Sequence, residues 1–412
     1  MSVALAVAIG LAASSADILL RNCDVRTVCC GDRNGATIWI SGERIEQIDP
    51  VQTAPEGAEI IDCEGAIVTP GLVEADSALG LTEVSLEPLS NDAMPTIEDP
   101  IRARLDARDA LDPRSSLVAV ARRDGVTSVV TSPMGGVVEG LAAWLDLVGP
   151  GSRSIGDAVI GPVALSAHAG QLGSVAYGGS RLSAFAALRI FFEDAAAYRR
   201  NEGGFLRRAF YQTMAARGDL AAAQPVLRGE MPLMVEAHRA ADIERVLRWS
   251  EQQRVKVIIV GASEGHLLPE RLAAAEVPVV VSPFQNLPSQ FEARQTRTDN
   301  AAVMEAAGVQ VILATRDSHR AGNLRFAAGN AVRAGFPAER ALAAITSRPA
   351  SAFGQNVGII RKGNRADLVL WSGDPFEPRS HAELVIIRGE IQPTESRQTR
   401  LARRYIDRLI TR

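Results

Sequence analysis

Acidic and imidazole side chains stand at the ends of three apolar segments of the sequence. They are Glu74 and Asp76 in LVEADS, Glu236 and His238 in MVEAH, and Asp317 and His319 in ATRDSH. Carboxylates and imidazoles transfer protons near neutral pH and also bind divalent metals. If the three segments meet in space, they could therefore form a site for either chemistry. Taken one at a time, each residue is more often solvated or capping.

The segments that lead to these residues have the pattern of parallel strands buried on both faces. Apolar, β-branched runs such as VTSVVTSP, VKVIIVGA and VPVVVSP alternate with helical segments between residues 69 and 354. This alternation predicts either a (β/α)8 barrel of the TIM type or an open doubly wound sheet. In a barrel, the strand ends meet at one rim, which would bring the acids and histidines together.

Both ends of the chain have the alternating pattern of short strands. Residues 17–68 contain three such pieces and residues 355–412 contain two more, RADLVLWSGDP and AELVIIRGEI. Three strands cannot close a core alone. We therefore expect one small β-sandwich domain built from both termini, with the barrel of residues 69–354 inserted between its halves. The basic amphipathic helix at the C-terminus is expected to pack on its own domain, and contact with anionic lipid is the alternative.

Composition favours a small-molecule substrate over nucleic acid. The 412 residues carry a formal net charge of −4, and the basic residues are scattered. No apolar run approaches the roughly 20 residues of a membrane-spanning helix. Residues 1–16 have the apolar stretch and small residues of a signal peptide, although no Lys or Arg precedes the stretch. A periplasmic or secreted protein is predicted, with a misassigned start and a cytoplasmic protein as the alternative, and a homo-oligomer is left open.

The cysteines do not decide the compartment. Cys23, Cys29, Cys30 and Cys63 match no zinc pattern. An oxidising compartment would permit disulfides among them. Adjacent cysteines rarely bond each other, so buried free thiols are expected.

Several motifs resemble those of the amidohydrolase superfamily. TPGLVEADSALGL is similar to the motif in which Pro-Gly-Leu leads into a first strand ending in His-x-His, and GVTSVVTSPMGG resembles the second-strand region. Residues 286–354 resemble the last third of imidazolonepropionase-related members, and GNRADLVLWSGDP resembles their returning sandwich strand. The resemblance spans nearly the whole chain after residue 17, and it implies the closed barrel rather than the open sheet.

The resemblance also implies a degenerate metal site. Members with a metal use two histidines on the first strand, a lysine or glutamate on the fourth, histidines on the fifth and sixth, and an aspartate on the eighth. Here Asp76 and Ala78 occupy the first pair, while His238 and Asp317 match the fifth and eighth strands. The remaining positions offer Val260 or Gly261 on the sixth strand, and Glu193 or Glu230 as conceivable bridging ligands.

Two states of this site follow from the resemblance. Asp76, His238 and Asp317 could hold one zinc, manganese or iron ion. With two acids and one imidazole in place of a histidine-rich cradle, we expect instead that the metal is lost and that these residues hydrogen-bond across the barrel mouth. His168, in SAHAGQLG, is expected to lie in a surface loop.

The function that the resemblance implies is hydrolysis of a carbon–nitrogen bond, other than a peptide bond, in a small molecule such as a cyclic amide. Asp317 would deprotonate water and protonate the leaving nitrogen, while His238 or a metal polarises the carbonyl. His319, Arg239 and Arg316 are the predicted substrate-binding residues, although for His319 an ion network in the loop is equally compatible. The alternative is a non-catalytic relative that keeps the barrel as a binding or scaffolding module.

Overall fold

The computed structural model describes residues 17–49, 55–95, 99–170, 178–200, 203 and 213–410. The predicted signal peptide lies outside these ranges. Two eight-stranded sheets organise the described part of the chain.

The first sheet contains strands from both ends of the chain. Its strands are β1 (Ile18–Val25), β2 (Arg33–Ser41), β3 (Arg44–Ile48), β4 (Glu59–Asp62), β5 (Ile67–Pro70), β14 (Leu368–Trp371), β15 (Ala382–Ile387) and β16 (Glu390–Ile391). They run in the order β16-β15-β14-β5-β1-β2-β3, with β4 paired to β1. The antiparallel pairing of β14 with β5 joins the two ends. The strands predicted as a sandwich are thus hydrogen-bonded in one sheet.

All four cysteines are bonded, so the expectation of buried free thiols is wrong. Cys23 lies on β1 and Cys63 directly follows β4, and the parallel pairing of these strands brings the two together as a disulfide. Cys29 and Cys30 form the second disulfide and are exposed.

The second sheet is a nearly closed barrel. Its strands, hydrogen-bonded in chain order, are β6 (Leu72–Ser77), β7 (Val126–Thr131), β8 (Val138–Asp146), β9 (Val159–His168), β10 (Leu233–Ala237), β11 (Val257–Gly261), β12 (Val279–Val281) and β13 (Val311–Leu313). The Thr315 amide donates to the Glu74 carboxyl and connects the segment after β13 with β6. The barrel-like fold is therefore confirmed.

One strand departs from the predicted (β/α)8 pattern. β8 runs antiparallel to both β7 and β9. Residues 132–137 join β7 to β8, a link too short for the crossover that a parallel pair requires. As a result, the first residues of β8 lie at the same rim as the last residues of the neighbouring strands.

Helices pack around the barrel strands through their apolar faces. In the helix that follows β10, Ile243, Val246 and Leu247 are buried at the spacing of one helical face. The α-helices that lie within the described ranges, including the exposed C-terminal one, are α1 (Ser116–Arg123), α2 (Arg181–Arg200), α3 (Arg217–Ala222), α4 (Gln224–Leu227), α5 (Ala240–Gln253), α6 (Pro269–Ala274), α7 (Asn300–Ala306), α8 (Leu324–Arg333), α9 (Ala338–Ala344), α10 (Ser347–Ala352) and α11 (Arg397–Ile410).

The C-terminal helix does not pack as expected. From Arg397 to Ile406, every residue of α11 is exposed except the half-buried Thr399. Leu401 and Ile406 keep 40% and 51% of their surface exposed. The prediction that this helix packs on its own domain is wrong for these residues. No helix in the described ranges is long and apolar enough to cross a membrane.

A buried ion cluster joins the barrel to the first sheet. Asp146, at the end of β8, accepts hydrogen bonds from Arg365 at 2.7 Å and from Arg388 at 2.9 Å. Arg365 also contacts Asp367 at 2.6 Å. We call these four residues the interface cluster.

Candidate active site

The carboxyl ends of the barrel strands surround a cavity of about 310 Å³. Its polar wall is formed by Asp76, Thr82, Asn91, Ser132, Glu139, Ser166, Glu236, Arg316, Asp317 and His319. A larger cavity of about 960 Å³ lies at the opposite end of the barrel, but its acidic residues Glu230, Glu251 and Glu276 are exposed. The smaller cavity is the candidate site because buried titratable groups converge there.

A guanidinium group bridges two carboxylates at the mouth of the barrel. The Arg316 Nε atom lies 2.7 Å from Asp76 Oδ2, and its Nη2 atom lies 2.9 Å from Glu236 Oε1. Arg316 Nη1 also donates to Gln285 Oε1 at 3.3 Å. Only 10% of the Arg316 side chain is exposed. We call Asp76, Arg316 and Glu236 the mouth cluster.

Burial and charge act in opposite directions on the pKa values of the mouth cluster. Burial alone would lower the pKa of Arg316, but the charges of Glu236 and Asp76 outweigh it and raise that pKa further. Burial would raise the pKa of Glu236, yet Arg316 and the hydrogen bond from His238 hold it well below its ordinary value. For Asp76, burial outweighs the opposing charge of Arg316 and the pKa is raised. The guanidinium therefore stays protonated.

An unusual backbone conformation positions the Arg316 side chain. Arg316 has a φ of +57°, in the left-handed region that non-glycine residues rarely adopt. The preceding Thr315 is held by Glu74, because its amide and its hydroxyl both donate to Glu74 Oε2, at 2.8 and 2.6 Å. Glu74 is fully buried, and burial raises its pKa to about 7 against the opposing hydrogen bonds of Thr315. Such strained positions persist where the surroundings fix them, commonly at functional sites.

His238 acts on the mouth cluster through Glu236. Its Nε2 atom lies 2.9 Å from Glu236 Oε1, and its Nδ1 atom lies 2.8 Å from Ser263 Oγ. Because a carboxylate only accepts, Nε2 carries a proton. Gly261 makes room for the ring, since a Cβ there would lie 2.6 Å from His238 Cε1 and its φ is +89°. Both ring nitrogens are thus engaged in positioning Glu236.

A further carboxyl group, that of Glu139 on β8, faces the cavity. Glu139 Oε2 accepts a hydrogen bond from Ser166 Oγ at 2.6 Å, and Oε1 accepts one from the Gly135 amide at 3.1 Å. Burial raises the pKa of Glu139 to about 7, and the hydrogen bond from Ser166 opposes the rise. The hydroxyl of Ser132, on the same wall, is buried without a hydrogen-bond partner among the described residues.

The structure brings together only some of the predicted site residues. Asp76 and Arg316 are paired directly, and His238 joins them through Glu236. Asp317 lies at the cavity rim, where it accepts a hydrogen bond from the His319 amide at 2.9 Å and is 39% exposed.

Of the two remaining predicted substrate-binding residues, His319 lines the cavity and Arg239 does not. His319 is exposed, and its Nε2 atom lies 3.2 Å from the Glu83 carbonyl oxygen. Arg239 precedes helix α5 and lies 3.9 Å from Asp242, which places it with the helix rather than on the cavity wall.

These residues do not fit a divalent metal. Within the described residues, no group of three or more histidine, cysteine, aspartate or glutamate side chains is arranged to hold one. Asp76 and Glu236 are bridged by a fixed cation, and both nitrogens of His238 are engaged. The conceivable bridging ligands lie elsewhere: Glu193 is exposed on α2, and Glu230 pairs with Arg228 at 2.7 Å.

Sequence reasoning missed part of the cavity wall. Glu139 is the second residue of β8, so a search for acids at strand ends overlooks it unless the strand is known to be reversed. His168, expected in a surface loop, is instead the last residue of β9 and only 5% exposed. Its Nδ1 atom accepts a hydrogen bond from the Gly170 amide at 3.1 Å. The one available signal was the short link between VTSVVTSP and the next apolar run.

Residues 241–395 match the amidohydrolase family. An amidohydrolase from Thermotoga maritima MSB8 has a similar structure, with a TM-score of 0.82, 26% sequence identity, and coverage of 91% of this chain and 99% of that chain. An N-isopropylammelide isopropylaminohydrolase from Burkholderia multivorans ATCC 17616 has a TM-score of 0.52 and 20% identity, with 91% and 98% covered. A molinate hydrolase has a TM-score of 0.57 and 16% identity, with 92% and 95% covered. These last two show the fold alone. No curated protein matches the sequence.

Proposed function

We propose that the protein is a hydrolase that cleaves a carbon–nitrogen bond, other than a peptide bond, in a small molecule bound in the mouth cavity. The amidohydrolase family match over residues 241–395 supports this reaction class. Proteins with this fold include an N-isopropylammelide isopropylaminohydrolase, a triazine hydrolase variant and a molinate hydrolase. A cyclic amide of the kind handled by the imidazolonepropionase-related branch is one candidate substrate.

The observation that carries the proposal is the buried carboxyl of Glu139 on the cavity wall. Burial raises its pKa to about 7, so both protonation states are populated at neutral pH. Ser166 and the Gly135 amide hold it in one orientation. A group of this kind can accept a proton and return it within one catalytic cycle.

The proposed reaction uses Glu139 for both proton transfers. Its carboxylate takes a proton from a water molecule, whose oxygen attacks the carbonyl carbon of the substrate. The carbon–nitrogen bond then breaks, and the Glu139 carboxylic acid protonates the leaving nitrogen. The hydroxyl of Ser132, which has no hydrogen-bond partner among the described residues, is available to donate a hydrogen bond to the carbonyl oxygen. Asp317 was the predicted base, but its exposed carboxylate is bound by a backbone amide, so we assign the role to Glu139.

A panel of cyclic amides and related small molecules tests this proposal by hydrolysis assay. Because Glu139 must be ionised to accept the proton, kcat/KM should rise with pH through about 7. Glu139→Gln should lower kcat by roughly 100-fold or more, within the range of general acid–base catalysis. Glu230→Gln, at an exposed site outside the mouth, serves as the matched control and should keep full activity. A fully active Glu139→Gln enzyme would refute the assignment.

A non-catalytic binding module is the second candidate. It is favoured by Arg316, which neutralises the carboxylates that would otherwise be free to act on a ligand. Thermal-shift screening with the same compounds separates the two functions. Stabilisation by compounds that are never hydrolysed would support the module, whereas turnover of a stabilising compound would support the enzyme.

We also propose that the protein is exported to the periplasm or secreted. The apolar residues 1–16 support export, and the two disulfides suit an oxidising compartment. Cell fractionation tests this. Recovery of the full-length chain in the cytoplasmic fraction alone would contradict it.

A further inference from the structure

We infer that Arg316 is a resident cation that takes the place of a divalent metal in the barrel mouth. Its guanidinium lies between Asp76 and Glu236, at 2.7 and 2.9 Å, and so occupies the position where these carboxylates would share an ion. This role of Arg316 as a fixed cation does not depend on the proposed hydrolysis.

Three side-chain oxygen atoms lie around the guanidinium. Two carboxylates and the Gln285 side-chain oxygen accept from its nitrogens. The pair of carboxylates thus has a counter-ion that cannot dissociate, because it is covalently part of the chain. A divalent ion would have to enter beside this fixed positive charge, and electrostatic repulsion opposes that.

The hydrogen bonds around Glu236 also resemble those around the ligands of a metal site. In metal sites, hydrogen bonds to the ligands fix their orientation. Here His238 donates to the same Glu236 oxygen that receives Arg316, and Ser263 holds the other side of the imidazole. These contacts orient Glu236 toward a cation, and the cation present is the guanidinium.

The backbone around Arg316 shows that its placement is built into the fold. The residue adopts a left-handed φ of +57°, and Glu74 fixes the preceding Thr315 through two hydrogen bonds. The neighbouring Arg320, by contrast, has a φ of −113° and 65% of its side chain exposed.

Metal titration of untagged protein tests the inference. After treatment with a chelator, wild-type protein should take up no stoichiometric zinc or manganese in calorimetry and elemental analysis. Arg316→Met keeps the length of the side chain but removes the charge, which leaves the carboxylates of Asp76 and Glu236 without their counter-ion and available to an added ion. This variant should bind one zinc ion per chain at least tenfold more tightly than the wild type.

Two further variants locate the effect. Arg320→Met removes a nearby exposed arginine and should leave zinc binding as in the wild type. Arg316→Met combined with Glu236→Gln should lose the site that Arg316→Met gained. One tightly bound zinc or manganese ion in the wild type, or a folded Arg316→Met variant that binds zinc no better than the wild type, overturns the inference.

If Arg316→Met does not fold, zinc binding by the wild type alone tests whether Arg316 takes the place of a metal. In that case, the unfolding temperature of the wild type is compared with and without zinc. A saturable rise at one ion per chain overturns the inference, and no change supports it. Because every readout is metal binding, failure here is distinguishable from failure of the proposed hydrolysis, which is read from turnover.

Discussion

The interface cluster and the mouth cluster, two of the arginine–carboxylate clusters among the described residues, differ in their balance of charge. The interface cluster pairs two acids, Asp146 and Asp367, with two arginines, Arg365 and Arg388. The mouth cluster has one arginine for Asp76 and Glu236. Two more buried acids border it, Glu74 and Glu139. The interface cluster has as many arginines as acids. The mouth cluster and its neighbours have more acids than arginines, and they lie beside a cavity.

In the barrel mouth, protonation rather than arginine charge neutralises the excess of acids. Burial raises the pKa values of Glu74 and Glu139 to about 7, so protons on these groups offset the excess of acids. Protons on these groups can exchange near neutral pH, whereas arginine charges cannot. For a structural role, the permanent charges of arginines, as in the interface cluster, are sufficient. A site that transfers protons needs carboxyl groups whose protons exchange near neutral pH.

The largest expected effect is the loss of the interface cluster. Asp146→Asn leaves the largely enclosed Arg365 and Arg388, whose side chains are 15% and 11% exposed, without their shared carboxylate. This should lower the free energy of unfolding by about 3–5 kcal/mol. Denaturant unfolding measures the change. Asp32→Asn removes an aspartate that is 53% exposed and should change stability by less than about 0.5 kcal/mol. If the two variants are equally stable, the interface cluster has no structural importance.

The second effect is a pH dependence of stability that originates in Glu139. Its pKa rises from 4.5 to about 7 on folding, so the folded state binds the proton more tightly. Its contribution is therefore complete below pH 4.5 and is lost as pH rises through about 7. At 1.36 kcal/mol per pKa unit, this amounts to roughly 3 kcal/mol.

Glu139→Gln tests this assignment because it cannot titrate. Its unfolding free energy should fall less between pH 5 and pH 8 than that of the wild type, and chemical denaturation at both values gives the difference. Asp32→Asn should keep the wild-type pH profile. Identical profiles for wild type and Glu139→Gln would show that this carboxyl does not titrate in that interval.

A smaller effect of opposite pH dependence is expected for Glu236→Gln. In this variant Arg316 remains paired with Asp76, and the amide oxygen of the new glutamine can still accept a hydrogen bond. The free energy of unfolding should therefore fall by about 2 kcal/mol at pH 7. The folded pKa of Glu236 lies well below 4.5, so its stabilisation is present above that pH and is lost as pH falls. The variant should therefore approach wild-type stability in acid. A deficit that is unchanged at low pH would contradict the ion pairing.

The sequence allowed the strands and some of the mouth residues to be predicted, for a physical reason. Buried parallel strands have an apolar, β-branched pattern, and Asp76 and Glu236 lie at the ends of two such strands. Glu139 was missed because its strand is reversed, and strand direction depends on the connection rather than on residue pattern. Arg316 was predicted to bind substrate, because its bridging position depends on a left-handed backbone that residue types do not reveal.

The smallest expected effect concerns the boundary of the mouth cluster. Arg320 lies 3.6 Å from Asp317, but its side chain is 65% exposed and that of Asp317 is 39% exposed. Because solvent screens such a pair, Arg320→Ala should change the free energy of unfolding by less than about 0.5 kcal/mol at any pH between 5 and 8. Unfolding curves and kcat/KM should both match the wild type. A loss above about 1 kcal/mol, or a shifted pH profile, would mean that Asp317 is electrostatically coupled to the cavity and that the acid–base assignment must include it.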